Sequence, residues 1–346
     1  MATLGSSGTS RGRLRLASRT FGTFLLRKFD IRCSTLPGPG RRWLNQCQHH
    51  RHNEVGASVS KTHSVRVDAH QHFWDPARFR YPWMDDAALD PVRRPYTPDD
   101  LAGELTANGI DGTVLVQTVA DLAETRLFLD IARETPFVHG VVGWVDLTSP
   151  TVGEVLDELL DEYGALLVGI RHQVHDEDDA AWLGRPDVRH GLAQVAARGL
   201  AYDLLVRTRE LPAATAAVAA LPDLRFVLDH IAKPGIAGGW DEPWAAAIVH
   251  LAALPNVRVK LSGMVTEADW TNWSAETLRP FIDRVIDLFT VDRVMFGSDW
   301  PVCLLAASAY GDVVDAVSTV LSGLSPTESE QVFGRNAQTY YRLPGS

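Results

Sequence analysis

From Val65 onward, short apolar runs alternate with longer amphipathic ones. The short runs are 65–70, 112–117, 138–145, 165–171, 201–206, 225–230, 257–262 and 293–298, and most are rich in Val, Ile, Leu or Phe. Strands buried on both faces have that composition. Between them lie stretches with helical periodicity: Leu122–Glu134, Val152–Tyr163, Leu211–Ala220, Trp244–Ala253 and Ala275–Phe289. Glycine or proline punctuates many junctions. Asp99-Asp100 and Ser325-Pro326 read as helix starts, with a capping residue followed by a helical run or a first-turn proline. Eight strands separated by helices over about 280 residues have the size and rhythm of a (β/α)8 TIM barrel. The alternative is a doubly wound open sheet. That fold binds phosphate through a glycine-rich turn after its first strand. Here the turn reads His70-Gln71-His72-Phe73-Trp74 instead.

A barrel gathers the carboxyl ends of its strands on one rim, and catalytic groups belong there. Strand one ends in His70 and His72; residues i and i+2 of a strand share a face, so the two imidazoles converge on one point. Strand four ends in Gly169-Ile170-Arg171-His172, and strand six in Leu228-Asp229-His230-Ile231-Ala232-Lys233-Pro234. Strand seven runs Val259-Lys260-Leu261-Ser262-Gly263, and strand eight ends in Phe296-Gly297-Ser298-Asp299-Trp300-Pro301. A strand buried on both faces has little reason to end in ionisable groups unless the rim is a site.

Each residue has a structural alternative. Asp299 suits a turn cap, and His230 a core histidine held by Asp229. Arg171 suits an ion pair with Asp146 or Asp203, and Lys233 a loop charge. His172 and His175 precede the acids Asp176 to Asp179 and read as a solvated loop. Cys303 has no dedicated partner and reads as structural rather than nucleophilic. The stretch 73–98 holds Phe73, Trp74, Phe79, Tyr81, Trp83 and Tyr96, and is long for a loop between a strand and a helix. It forms either a wall of the pocket or a hydrophobic plug.

Charge changes the picture at the N-terminus. The chain of 346 residues has a formal net charge of −10, but residues 1–62 hold 11 Lys and Arg against Asp30 and Glu54 alone. The body from residue 63 to 346 therefore carries −19. An acidic body argues against nucleic acid and anionic membranes as partners. The first 62 residues, with Pro37-Gly38-Pro39-Gly40 and His49-His50-Arg51-His52, read either as an Arg- and Ser-rich transit peptide or as a start assigned too far upstream. The first reading places the protein in mitochondria and the second in the cytoplasm. Three cysteines make no disulfide framework, and no apolar run reaches the length of a membrane span. A homo-oligomer stays open.

The order His-x-His after strand one, His after strand six and Asp after strand eight resembles the amidohydrolase superfamily over residues 65–343. Asp68-Ala69-His70-Gln71-His72-Phe73-Trp74, Gly169-Ile170-Arg171-His172-Gln173, Leu228-Asp229-His230-Ile231-Ala232-Lys233-Pro234 and Phe296-Gly297-Ser298-Asp299-Trp300-Pro301 together resemble its sugar-lactonase branch, the fuconolactonase-like and rhamnonolactonase-like enzymes. The resemblance implies hydrolysis of a small sugar lactone. Asp299 would be the base that activates water. His70, His72 and His230, with Asp299, would hold one divalent metal such as Zn2+, which members of the branch can dispense with. Arg171 would be catalytic beside His230. Lys233, His172, Trp74 and Trp300 would contact substrate, the indoles by stacking on the sugar. Two departures narrow the placement. Binuclear members carry a bridging lysine after strand four, where this chain has Arg171. Decarboxylases carry a histidine after the Ser-Asp-aromatic-Pro motif, where this chain has Val302-Cys303. A metal-dependent decarboxylase and a catalytically silent sugar-acid-binding barrel are the alternatives.

Overall fold

A computed structural model describes residues 64–343; the expected leader, 1–62, lies outside the described residues. Eight strands form one sheet: β1 (Val67–Gln71), β2 (Gly112–Val116), β3 (Val138–Gly143), β4 (Leu167–His172), β5 (Ala201–Leu204), β6 (Arg225–Leu228), β7 (Val257–Leu261) and β8 (Val294–Phe296). They pair in chain order and all in parallel. The first and last strands meet beyond their ladders. Asp299 N donates to His70 O (2.8 Å) and His72 N to Trp300 O (2.7 Å). Asp68 adds a side-chain stitch, accepting from Ser298 N (2.9 Å) and Ser298 Oγ (2.6 Å). The seam of the barrel is thus made by residues of the rim motifs. The open-sheet alternative is excluded.

The helices are α1 (Pro98–Asn108), α2 (Leu122–Glu134), α3 (Val152–Tyr163), α4 (Pro186–Ala197), α5 (Leu211–Ala220), α6 (Glu242–Ala252), α7 (Ala275–Phe289), α8 (Tyr310–Val320), α9 (Pro326–Glu330) and α10 (Asn336–Tyr341). Their starts follow local chemistry. Thr97 and Asp100 form a capping box at α1, so the cap lies two residues before the expected Asp99. Asp121 caps α2, Ser274 and Thr277 box α7, and Ser325 caps α9 as its Ser-Pro motif predicts. One stripe of each amphipathic helix is buried on the sheet, with Leu129, Leu156, Leu192, Ile248, Ile282 and Val317 fully enclosed. Each such side chain stabilises the fold by about 1.5–3 kcal/mol.

A second apolar cluster joins Val114, Val142, Val227 and Met295 to Tyr341 and Leu343. It sits at the amino-terminal end of the barrel, where Tyr340 Oη donates to Phe226 O (3.0 Å) and Asn256 O (2.7 Å). With that end closed by α10, the carboxyl rim is left for chemistry. No helix among the described residues is long and apolar enough to cross a membrane.

Candidate active site

The strand ends meet at a cavity of about 320 Å³, lined at its base by His72, Arg171, His230 and Asp299. That volume lies at the small-ligand end of binding pockets. His70 lies behind this base and is fully buried. Its Nε2 is 3.1 Å from His72 Nε2 and 3.7 Å from Asp299 Oδ1. His72 Nε2 is 3.2 Å from the same oxygen, and His230 Nε2 is 3.9 Å from it. The three histidines expected at the site from sequence therefore converge on one carboxylate oxygen of the fourth residue, Asp299.

The backbone makes this possible at some cost. The β1–β2 ladder shifts register between Asp68 and Gln71, so Asp68 turns to Ser298 while His70 turns to the site. Asp299 has φ 59°, and His230, Ile231, Ala232 and Lys233 form a run with φ between 49° and 65°. None is glycine, and each such residue costs about 1–2 kcal/mol. The run is pinned by Trp244 Nε1, which donates to Ile231 O at 2.6 Å. It carries both His230 and Lys233 to the cavity. Gly263 is required beside it, since a Cβ there would lie 2.5 Å from His230 Nδ1.

The donor set tests whether a metal fits. His72 Nδ1 donates to Val116 O (2.7 Å), which leaves Nε2 as a bare acceptor. That lone pair faces the carboxylate oxygen of Asp299. Two acceptors at 3.2 Å need a cation between or beside them. Ligands about 2.0–2.1 Å from a zinc ion stand roughly 3–3.5 Å apart, close to the edges of the His70, His72 and Asp299 triangle. The Val116 carbonyl is the outer-shell partner a metal-binding imidazole ordinarily has. The cluster therefore fits a divalent ion. His70, Asp229 and His230 form a second group with ligand spacing, but there the cations Lys260 and Arg171 already face Asp229.

Under His70 lies a buried ionic network. Asp229 contacts Arg171 Nη1 (3.0 Å), Lys260 Nζ (3.0 Å) and His70 Nδ1 (3.2 Å). Lys260 also donates to Asp203 Oδ2 (2.6 Å), and Tyr341 Oη of α10 donates to Asp203 (2.8 Å). Arg171 pairs with Asp229, then, rather than with the Asp146 or Asp203 anticipated from sequence; Asp203 is taken by Lys260. Burial alone would raise the Asp229 carboxyl, but the charge of Lys260, the hydrogen bond from His70 and the charge of Arg171 outweigh it and hold it well below the usual range. Asp299 also lies below its usual range: burial opposes ionisation, and the facing His230 is the foremost influence that outweighs it. Burial drives His70 well below its ordinary value and His230 down to about 4, so both imidazoles are neutral near pH 7.

Three of the residues expected to contact substrate, His172, Trp74 and Trp300, do not line the cavity. His172 stacks on Trp182, accepts from Trp144 Nε1 (3.0 Å) and pairs with Glu177 (2.7 Å). Trp74 is buried with Nε1 bonded to Val92 O and Arg94 O, and Trp300 packs on Phe73 and Tyr96. The indoles at the cavity are Trp83 and Trp270. Trp83 is held by Thr118 O (3.0 Å), so the 73–98 stretch does contribute wall. His175 lines the cavity too instead of being solvated, and burial followed by neighbouring Lys233 and Arg207 lowers it to about 3. Lys233 lines the cavity and pairs with Glu267, which also binds Arg207 (3.1 Å). Glu267 and Arg207 carry no sequence signal. Lys260 does, as a lysine amid the apolar residues of β7. Cys303 is buried, with burial pushing its thiol well up, which suits the structural reading.

The amidohydrolase family pattern matches residues 67–343. An L-fucono-1,5-lactonase of Burkholderia multivorans is 40% identical over 293 residues, covering 81% of this chain and 97% of that protein. One of Burkholderia ambifaria is 39% identical, covering 81% and 96%. A crystal structure of an amidohydrolase from Burkholderia multivorans with bound zinc superposes with a TM-score of 0.76 at 38% identity, covering 81% of this chain and 100% of that one.

Proposed function

The chain belongs to the amidohydrolase family, and on that premise we propose that it hydrolyses a sugar lactone, with water activated at Asp299. The observation that carries this reading is the convergence of His70, His72 and His230 on an ionised Asp299 at the base of a small cavity. A lactone is an activated ester, so its opening needs a placed water, a base and a partner for the oxyanion. Asp299 takes the water proton as the oxygen attacks the carbonyl carbon. Arg171 and neutral His230 flank the oxygen on which charge gathers. Collapse of the tetrahedral intermediate breaks the ring C–O bond. The proton held by Asp299 passes to the departing ring oxygen, giving a hydroxy acid that releases one proton on ionising. Lys233 contacts the ring substituents from the neighbouring wall.

His70, His72 and Asp299 are the residues that would hold a divalent ion, Zn2+ by analogy with the zinc-bound relative. When bound, such an ion supplies Lewis-acid polarisation and a more acidic water. L-Fucono-1,5-lactone, the substrate named for the two Burkholderia relatives, is the first compound to try.

A panel of aldonolactones read by proton release, run before and after chelation, tests the proposal. Turnover with kcat/KM of at least about 10⁴ M⁻¹s⁻¹ on one aldonolactone is the expected result. No proton release on any lactone, with carbon dioxide released from an aromatic acid, would replace it with the decarboxylase reading.

A further inference from the structure

Three loops on one side of the cavity each send a charged side chain to the same place. Arg207 follows β5, Lys233 follows β6 and Glu267 follows β7. Glu267 Oε2 accepts from Arg207 Nη1 at 3.1 Å, and Oε1 accepts from Lys233 Nζ. Glu267 and Lys233 are largely enclosed, their side chains 13% and 14% exposed. All three line the cavity, alongside Trp270, whose Nε1 is held by Thr266 O at 2.8 Å. Among the described residues, the clamp's side chains make no hydrogen bond or ion pair to Asp299 or to the imidazoles of the cluster; Lys233 meets His230 only through the backbone, its N donating to His230 O at 2.8 Å.

Its hydrogen-bonding capacity is only partly used. A carboxylate offers about four acceptor positions and an ammonium three donors. Two acceptors of Glu267 are spent on the clamp, and one donor of Lys233. What is left is acceptors and donors side by side, facing a cavity whose other loops present Leu89, Val302 and Leu305 together with Thr118 and Gln173. A vicinal diol matches that pattern: one hydroxyl donates to Glu267 while its neighbour accepts from Lys233. A bare hydrocarbon ring would cover the clamp while leaving that remaining hydrogen-bonding capacity unmet.

We propose that Glu267, held in place by Lys233 and Arg207, is the residue that reads the ring hydroxyls of the substrate and so selects polyhydroxylated lactones over unsubstituted ones. The proposal rests on the lactonase reading for its substrate and goes beyond it in assigning selectivity to a residue outside the catalytic cluster.

The test compares kcat/KM on L-fucono-1,5-lactone and on δ-valerolactone, which carries no hydroxyl, for the parent and Glu267→Gln. The expected result is that the ratio of the two falls by about 30-fold, the loss of one charge-assisted hydrogen bond to substrate. The loss should appear mainly in KM for the hydroxylated lactone. A ratio within threefold of the parent overturns the proposal, since a purely structural Glu267 would change both substrates alike. Arg207→Met serves as the second variant; its side chain is 48% exposed, and it must shift the ratio in the same direction. Binding of L-fucose, a sugar with no lactone bond, is measured beside the kinetics. A parent that opens neither lactone but binds L-fucose, at least tenfold more weakly in Glu267→Gln, would end the lactonase reading and leave the hydroxyl-reading clamp standing. L-Fucose binding unchanged by Glu267→Gln in such a protein would end both.

Discussion

The base of the cavity and its β5–β7 wall are built on opposite principles. At the base, His70, His72, His230 and Asp299 sit on or just beyond strand ends, are at most 4% exposed, and are each fixed by backbone or buried neighbours. On the wall, Arg207, Lys233 and Glu267 stand on loops, hold one another, and meet solvent. On the proposed function, the difference separates chemistry from choice. Bond breaking requires atoms fixed to a fraction of an ångström, which a barrel rim supplies. Recognition of a substrate's substituents can be placed on loops that vary without disturbing that frame.

The largest effect outside the reacting atoms should come from the network that props the base. Lys260→Met leaves Asp203 and Asp229 buried without their shared cation and should cost about 3–5 kcal/mol of stability, measured by urea unfolding. A cost under about 1 kcal/mol would mean that the base does not depend on its buried support. Lys233→Met strikes the wall instead. It should lower kcat/KM on the preferred lactone by about 10- to 100-fold, chiefly through KM, with little change in the unfolding midpoint. An effect confined to kcat would erase the division between base and wall.

The smallest effect is a pH dependence on the wall. His175 has an ordinary value near 6.5 when unfolded and about 3 when folded. Between those values the unfolded chain binds the proton and the folded one does not, so this residue removes stability as pH falls. From pH 7 to pH 5 the loss is about 2 kcal/mol. His175→Gln should lose about that much less than the parent over the same interval, by denaturant titration at each pH. Equal losses would show that His175 is not held neutral by its burial.

The same division decides how much could be read from sequence. The base was legible because strand geometry is local: His70 and His72 share a face at i and i+2, and a strand buried on both faces seldom ends in charge unless that charge serves a site. Helices were legible for the same reason, with α2, α3, α5 and α7 found at the boundaries that their periodicity gives. The indoles were not. Trp74 and Trp83 lie in one long loop, and only the path of that loop decides that Trp74 Nε1 meets Val92 O while Trp83 faces the cavity. Glu267 and Arg207 are 60 residues apart in sequence, and nothing in either segment announces the other. Lys260 announced itself, as a charge inside an apolar strand, but its partners lie on β5 and at the end of β6. Adjacency in sequence pairs Asp229 with His230, yet the left-handed turn that starts at His230 sends their side chains to different partners.

Whether Asp299 is the base of a lactone-opening site is decided by the rate of proton release from L-fucono-1,5-lactone by the parent and by Asp299→Asn. The unfolding midpoint is measured on the same samples. The expected loss is about 10³-fold or more in kcat/KM for the variant, with the fold retained. Activity within threefold of the parent would remove Asp299 from that role.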